Sequence, residues 1–258
     1  MTTKLFESVI FGPINSRRLG VSLGINLLPV DSKLCNFDCI YCECGWTDLR
    51  SLKKVKFHIR EEVASQLKEA LMDLKIKKVK LDSITFAGNG EPTMHPQFNL
   101  IIDDVINLRN EYFPSCKISV LSNGLMLGNG KVVNALKKIE NPILKLDAGT
   151  ERTFQLIDQP INNRTLDWLV NQLKKFNGDL IIQTLFLRGK HNNELIDNTT
   201  DNEIEMWLEK LKIIKPKKVM IYTIDRATPA KHLEKIKVEK LEEIAKKVEL
   251  IGMEAMVS

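Results

Sequence analysis

The chain has 258 residues, of which 43% are hydrophobic and 28% charged. That composition supports a sizeable core and excludes a chain disordered by composition. Thirty-eight basic residues against 33 acidic ones leave a net charge of +5. So mild a surplus, spread along helices, reads as a solvated surface and lends a nucleic-acid partner little support. No run of about 18 uncharged apolar residues occurs, so no membrane-spanning helix is expected. The stretch Met1 to Glu7 carries no apolar signal core, so secretion is not expected either. Five cysteines, an odd number with three bunched, argue for reduced thiols in a cytoplasmic setting.

Residues 1–20 read as an irregular lead-in. Phe11 to Gly20 has turn residues at both ends and the adjacent pair Arg17 and Arg18. It is either a surface loop or an arm whose arginine meets a carboxylate or phosphate. Val21 to Leu28 reads as a strand. It leads to Cys35-Asn36-Phe37-Asp38-Cys39-Ile40-Tyr41-Cys42, three cysteines at C-x-x-x-C-x-x-C spacing. A structural zinc site wants four protein ligands. Three neighbouring thiolates suit a [4Fe-4S] cluster with one iron left open. A chance cluster, or a zinc site with a distant fourth ligand, are the other readings.

A lysine-rich stretch, Lys53 to Lys56, follows. Ile59, Val63, Leu67, Leu71 and Leu74 recur at helical spacing and predict a helix over about 59–76. Ser83 to Ala87 predicts a strand running into Gly88-Asn89-Gly90-Glu91-Pro92. A helix over about 96–112 precedes a strand at Lys117 to Leu121, which ends in Ser122-Asn123-Gly124. Val132 to Ile139 predicts a helix, Ile143 to Asp147 a strand, and 151–158 and 165–177 two helices. Leu180 to Leu187 predicts a strand, apolar except for Gln183 and Thr184. A helix around Ile204 to Leu211, a strand at Lys218 to Thr223 and a helix over about 237–251 complete the order.

Apolar strands alternating with helices mean a parallel sheet covered by helices. Six such units are too few for a closed eight-stranded barrel. The expected fold is therefore α/β, a partial (β/α)6 TIM-like barrel with an open parallel sheet. One domain is expected over 1–258, with 1–20 as lead-in and 237–258 as a helix and tail.

In parallel α/β folds the functional loops follow the C-terminal ends of strands. Those ends carry the cysteine loop, Gly88 to Pro92, Ser122 with Asn123, Lys145 with Asp147, Gln183, and Asp225 with Arg226. Each group also has a plain reading. Gly88-Asn89-Gly90 and Asn123-Gly124 form turns readily. Lys145 and Asp147 point the same way by alternation and could be a buried pair. Gln183 in an apolar strand is open in the same sense. Cys44 reads as a free thiol near the triplet, Cys116 as core, and the histidines as structural, with His191 and His232 in loops able to touch substrate. Trp207 reads as core.

The triplet Cys35, Cys39 and Cys42 with Tyr41 before the last cysteine, together with Gly88-Asn89-Gly90-Glu91-Pro92, resembles the radical S-adenosylmethionine superfamily. Phe11 to Gly20, Ala87 to Pro96 and Leu121 to Gly124 look like a stand-alone bacterial and archaeal group within it, related to the radical domain of wybutosine-synthesis enzymes. The resemblance implies that Cys35, Cys39 and Cys42 hold a [4Fe-4S] cluster whose open iron chelates S-adenosylmethionine. Reductive cleavage then gives a 5′-deoxyadenosyl radical that abstracts hydrogen from a substrate, an oxidoreductase-like chemistry. It implies cofactor contacts from Tyr41, Gly88, Asn89, Gly90, Glu91, Ser122, Asn123, Lys145, Asp147 and Gln183. Asn89 departs from the glycine that many members carry there. An electron donor such as flavodoxin or ferredoxin is implied as partner. The substrate is left open among a small molecule, a peptide, a protein or tRNA. A tRNA-modifying or glycyl-radical-activating role, or a non-catalytic iron–sulfur or zinc protein, are the alternatives. The polar segments 188–200 and 224–236 are expected to form loops that choose the substrate.

Overall fold

The computed structural model describes residues 4–48, 55–161 and 163–258. Residues 1–3 of the lead-in, and Lys53 and Lys54 of the lysine-rich stretch, lie outside the described residues. The chain opens with β1 (Ile10–Ser16) and β2 (Gly20–Ile25), followed by the cysteine loop and α1 (Arg60–Ile76). Then come β3 (Ser83–Phe86), α2 (Phe98–Tyr112), β4 (Lys117–Ser122), α3 (Gly130–Leu136), β5 (Asn141–Lys145), α4 (Glu151–Ile157) and α5 (Leu166–Leu173). The rest is β6 (Ile181–His191), β7 (Glu194–Asp197), α6 (Asp201–Ile214), β8 (Lys218–Thr223), β9 (His232–Lys235), α7 (Val238–Leu250) and β10 (Ala255–Val257). The helices follow the apolar spacing: α1 buries Val63, Leu67, Leu71 and Leu74. Threonines 150, 165 and 200 cap α4, α5 and α6 by accepting a backbone N–H three residues on, each cap stabilising its helix by about 1 kcal/mol.

One sheet runs in the order β1-β2-β3-β4-β5-β6-β8-β10. From β2 to β10 every pairing on this path is parallel, so this is an open, mostly parallel partial barrel of the expected kind. The outer face packs on the helices in one continuous core, with Trp207, Phe86 and Phe154 fully buried. The inner face divides. Toward β2–β5 it carries hydroxyl groups: Ser22 with Thr85 at 2.7 Å, Ser83 with Ser119 at 2.9 Å, and Asn141 donating to Ser119 at 3.1 Å. It also carries an apolar patch, with Ile143, Ile181 and Met220 packed against Leu19, Leu121 and Met256. No described helix is long and apolar enough to cross a membrane.

Three parts of the chain differ from expectation, the first being the tail after α7, where β10 pairs parallel with β8 and adds a seventh parallel strand to the expected six. The lead-in contains β1, which pairs antiparallel with β2 through a register break between Phe11 and Ile14. Its Gly12 and Pro13 hid the strand, since both residues are confined to edges and bulges of sheets. The turn of this hairpin reaches β8: Arg17 pairs with Asp225 at 2.8 Å, and the Arg18 guanidinium lies 4.7 Å from the Tyr222 ring centre. The expected polar loop 188–200 is largely strand, and the expected loop 224–236 contains the strand β9. β6 runs on past the parallel sheet, and β7 and β9 flank its end antiparallel. Much of this ribbon is exposed, Leu195 by 76%, so it lacks the apolar alternation that marks a half-buried strand.

Candidate active site

A short backbone bridge joins the two motif-bearing segments. Leu34 N–H donates to Asn89 O at 2.8 Å, and Glu91 N–H donates to Leu34 O at 3.0 Å. The bridge brings Gly90 so close that an added Cβ would lie 1.8 Å from the Leu34 carbonyl oxygen. Gly88 approaches Asn26 in the same manner, and the two glycines take φ of +146° and +136°, a region that residues with a Cβ rarely enter. The Asn89 side chain faces away from the cysteines. It accepts from Phe6 N–H and donates to Phe6 O and Pro29 O, which ties the N-terminal segment down.

Glu91 is the centre of the second layer. Its buried carboxylate accepts from Ser122 Oγ at 2.8 Å, Asn123 N–H at 2.6 Å, Thr93 N–H at 3.1 Å and the Thr93 hydroxyl. Burial raises its pKa, against these hydrogen bonds. Asn123, fixed in this way, donates to Asn36 Oδ1 at 2.7 Å and to Cys35 Sγ at 3.6 Å. One chain of contacts thus leads from the end of β4, through Glu91, to the first cysteine.

The thiols lie in one loop but do not meet at a point. Among the described residues, no three His, Cys, Asp or Glu side chains converge as a single metal ion would need. Cys35 accepts from Phe37 N–H, Cys39 donates to Asp158 Oδ1 at 3.5 Å, and Cys44 donates to Gly88 O at 3.4 Å. Burial pushes Cys35 up to about 12 and Cys39 well above its ordinary value. Cys42 is lowered, chiefly by its Cys44 neighbour and further by Lys33. The Lys33 ammonium, 2% exposed, sits among them and donates to Gly45 O at 2.8 Å and Asp38 at 3.1 Å. Burial alone would lower its pKa, but the charges of Cys42, Cys35 and Cys39 raise it.

Behind the loop, Tyr41 hydroxyl donates to Asp147, and Lys145 Nζ lies 2.5 Å from that hydroxyl and 3.2 Å from Asp147 Oδ2. Asp147 Oδ1 accepts from Leu185 N–H. Gln183 donates to Tyr222 Oη at 2.7 Å. Buried side-chain atoms without partners are rare in folded proteins. Those found among the described residues are Asn36 Nδ2, Asp158 Oδ2 and Arg18 Nη1. Two of them flank the thiols, and the third lies over Tyr222.

A family model described as "Radical SAM superfamily" matches residues 30–211, which span the cysteine loop, the bridge and four of the strand ends. The chain belongs to the Radical SAM superfamily. It is 30% identical over 227 residues to a UPF0026 protein of Helicobacter pylori strain J99, covering 86% of this chain and 68% of that one. It is 31% identical over 248 residues to a Brachyspira hyodysenteriae protein named GTPase Obg, covering 95% of this chain but only 34% of the other. The chain thus spans about a third of one relative and about two thirds of the other. Its fold resembles that of a radical SAM methyltransferase from Sphaerobacter thermophilus, with TM-score 0.66 at 14% identity, over 92% of this chain and 65% of that one.

Three thiolates offered to separate irons is the ligand pattern of a cluster. The donor set, the orphaned Asn36 amide and the buried cation of Lys33 fit such a group. Tyr41, Glu91, Ser122, Asn123, Lys145, Asp147 and the Gly88–Gly90 backbone are gathered around the loop. Gln183 lies one step farther along the inner face, and the Asn89 side chain turns outward. Sequence reasoning missed Lys33, Asp158 and Asn36 as members of the site. Asp158 is 119 residues from Cys39, a contact no local pattern encodes; burial and the Asp147 charge hold its pKa well above the ordinary value. Trp46 stacks on His191 of β6 at 5.4 Å between ring centres, so the ribbon leans on the cysteine loop.

Proposed function

We propose that this chain is a radical S-adenosylmethionine enzyme, with Cys35, Cys39 and Cys42 holding a [4Fe-4S] cluster. The observation that carries the reading is the Leu34–Gly90 bridge, which fixes the cysteine loop against the Gly-Asn-Gly-Glu segment. A cluster held there would supply reductive cleavage of S-adenosylmethionine and, through it, hydrogen abstraction from a substrate. The protein's own part is placement. The missing Cβ atoms of Gly88 and Gly90 let this segment lie against Asn26 and Leu34 beside the cysteine loop, and Glu91 holds Ser122 and Asn123 beside Cys35. Lys145, whose charge is stabilised by Asp147 despite burial, is a cation suited to a carboxylate. Lys33 offsets the negative charge that three thiolates bring into a buried loop. Reducing equivalents would come from a small electron-transfer protein such as flavodoxin or ferredoxin.

The test is anaerobic reconstitution, followed by dithionite and S-adenosylmethionine and quantification of 5′-deoxyadenosine. The parent should hold about four irons per chain and release the nucleoside. Alanine at Cys35, Cys39 or Cys42 should abolish release, whereas Cys116→Ala should keep it. A brown, iron-loaded protein that releases none would be an electron carrier; a colourless zinc protein would remove the cluster altogether.

A further inference from the structure

Arg18 is a half-buried cation of the barrel that the preceding scheme does not use. It comes from the hairpin turn between β1 and β2, and its guanidinium lies flat on Tyr222, 4.7 Å from the ring centre. Its Nη1 is buried and has no hydrogen-bond partner. Its neighbour Arg17, by contrast, is exposed and pairs with Asp225. Tyr222 already receives the Gln183 amide, so the guanidinium meets the face of the ring and not its oxygen.

The same arginine lines a cavity of about 730 Å³ at the N-terminal ends of the strands, the end away from the cysteine loop. Ser83, Asn141 and Lys218, which begin β3, β5 and β8, form part of its wall, with Ile181 and Met220 beside them. This volume lies in the range of small-molecule sites. The wall carries Arg18, Lys80, Lys117, Lys217 and Lys218 against Asp82 and Glu254. Both acids are taken, Asp82 by Lys80 at 3.3 Å and Glu254 by Lys218 at 2.7 Å. Arg18 is therefore left as an uncompensated, half-enclosed cation with a free N–H. An arginine so placed recognises an oxyanion, for which its fork of donors is shaped.

We propose that the N-terminal end of the barrel binds a small molecule through an oxyanion, carboxylate or phosphate, held by Arg18, at a site separate from the cysteine loop. The hydroxyl and amide groups of Ser83 and Asn141 suit a polar body, and Ile181 and Met220 an apolar edge. This anion site does not rest on the radical reading above.

Thermal midpoints of the reconstituted protein would be followed with inorganic phosphate or acetate at constant ionic strength. The parent and Arg17→Met should show saturable stabilisation, and Arg18→Met should lose at least tenfold in apparent affinity. Arg18→Lys, which keeps the charge and loses the fork, should fall between them and guards against a folding defect in the methionine variant. The stronger of the two anions identifies the group. Equal responses in all variants, or none in the parent, would overturn the site. Competition by S-adenosylmethionine would place Arg18 in the cofactor site and overturn a separate anion site. Because the readout is binding, a chain that binds anions yet releases no 5′-deoxyadenosine would sink the radical reading and leave this site standing.

Discussion

Leu34 and Gly90 face each other in a one-step parallel bridge, in which Leu34 N–H donates to Asn89 O and Leu34 O accepts from Glu91 N–H, and the glycine is there because nothing larger fits. An added Cβ would lie 1.8 Å from the Leu34 carbonyl oxygen at a φ of +136°. Gly90→Ala should therefore break the bridge, with a loss of about 2–4 kcal/mol from strain and two weakened backbone bonds. The thermal midpoint should fall by several degrees and iron retention should drop with it. Gly130→Ala, where an added Cβ meets nothing within 4 Å, is the control. If the two variants melt alike, the bridge does not carry the assembly.

Glu91 supplies a second prediction. Ser122, Asn123 and Thr93 all donate to its two oxygens. Glu91→Gln puts an amide where one acceptor stood and leaves a buried donor facing another donor. About 2–3 kcal/mol of stability should disappear without any cofactor present. Chemical denaturation of the metal-free protein measures this. An unchanged midpoint would mean that the carboxylate serves a bound ligand and not the fold.

The parallel strands were legible in sequence because they are buried on both faces and read as apolar runs. The cysteine loop, Gly88–Glu91 and Ser122–Asn123 were legible because each motif is continuous and ends a strand. What the carboxylate of Glu91 does was not legible, since two of its partners, Ser122 and Asn123, come from the end of β4, 31 and 32 residues on. Lys33 reads in sequence as an ordinary loop lysine; only folding encloses it among thiols. β1 and β9 were hidden for opposite reasons: one contains Gly12 and Pro13, and the other is mostly exposed on a ribbon without an apolar face.

Asn89 should act on the N-terminal segment. Its amide makes both backbone hydrogen bonds to Phe6 and a third to Pro29 O, and Phe6 stacks on Phe11. Asn89→Ala should free the Phe6 amide, so its hydrogen exchange should rise about tenfold or more, as a loss of about 1–3 kcal/mol of local stability requires. Amide exchange across residues 4–11 reports it. Unchanged protection at Phe6 would show that ring stacking alone holds the segment.

Glu140 gives a prediction in pH. Burial would raise its pKa, but Ile118 N–H at 2.9 Å and Arg109 at 2.9 Å hold it below the usual 4.5. A carboxyl depressed in the folded state contributes stability that is present above its unfolded pKa and lost as pH falls through the folded value. Glu140→Gln should therefore cost about 1 kcal/mol near pH 7, a figure kept small because the side chain is 40% exposed. The difference from the parent should hold down to about pH 5 and shrink below about pH 4.5. Urea midpoints at pH 7, 5 and 3.5 trace this. A deficit that persists in full at pH 3.5 would assign the loss to packing rather than to the charge of Glu140.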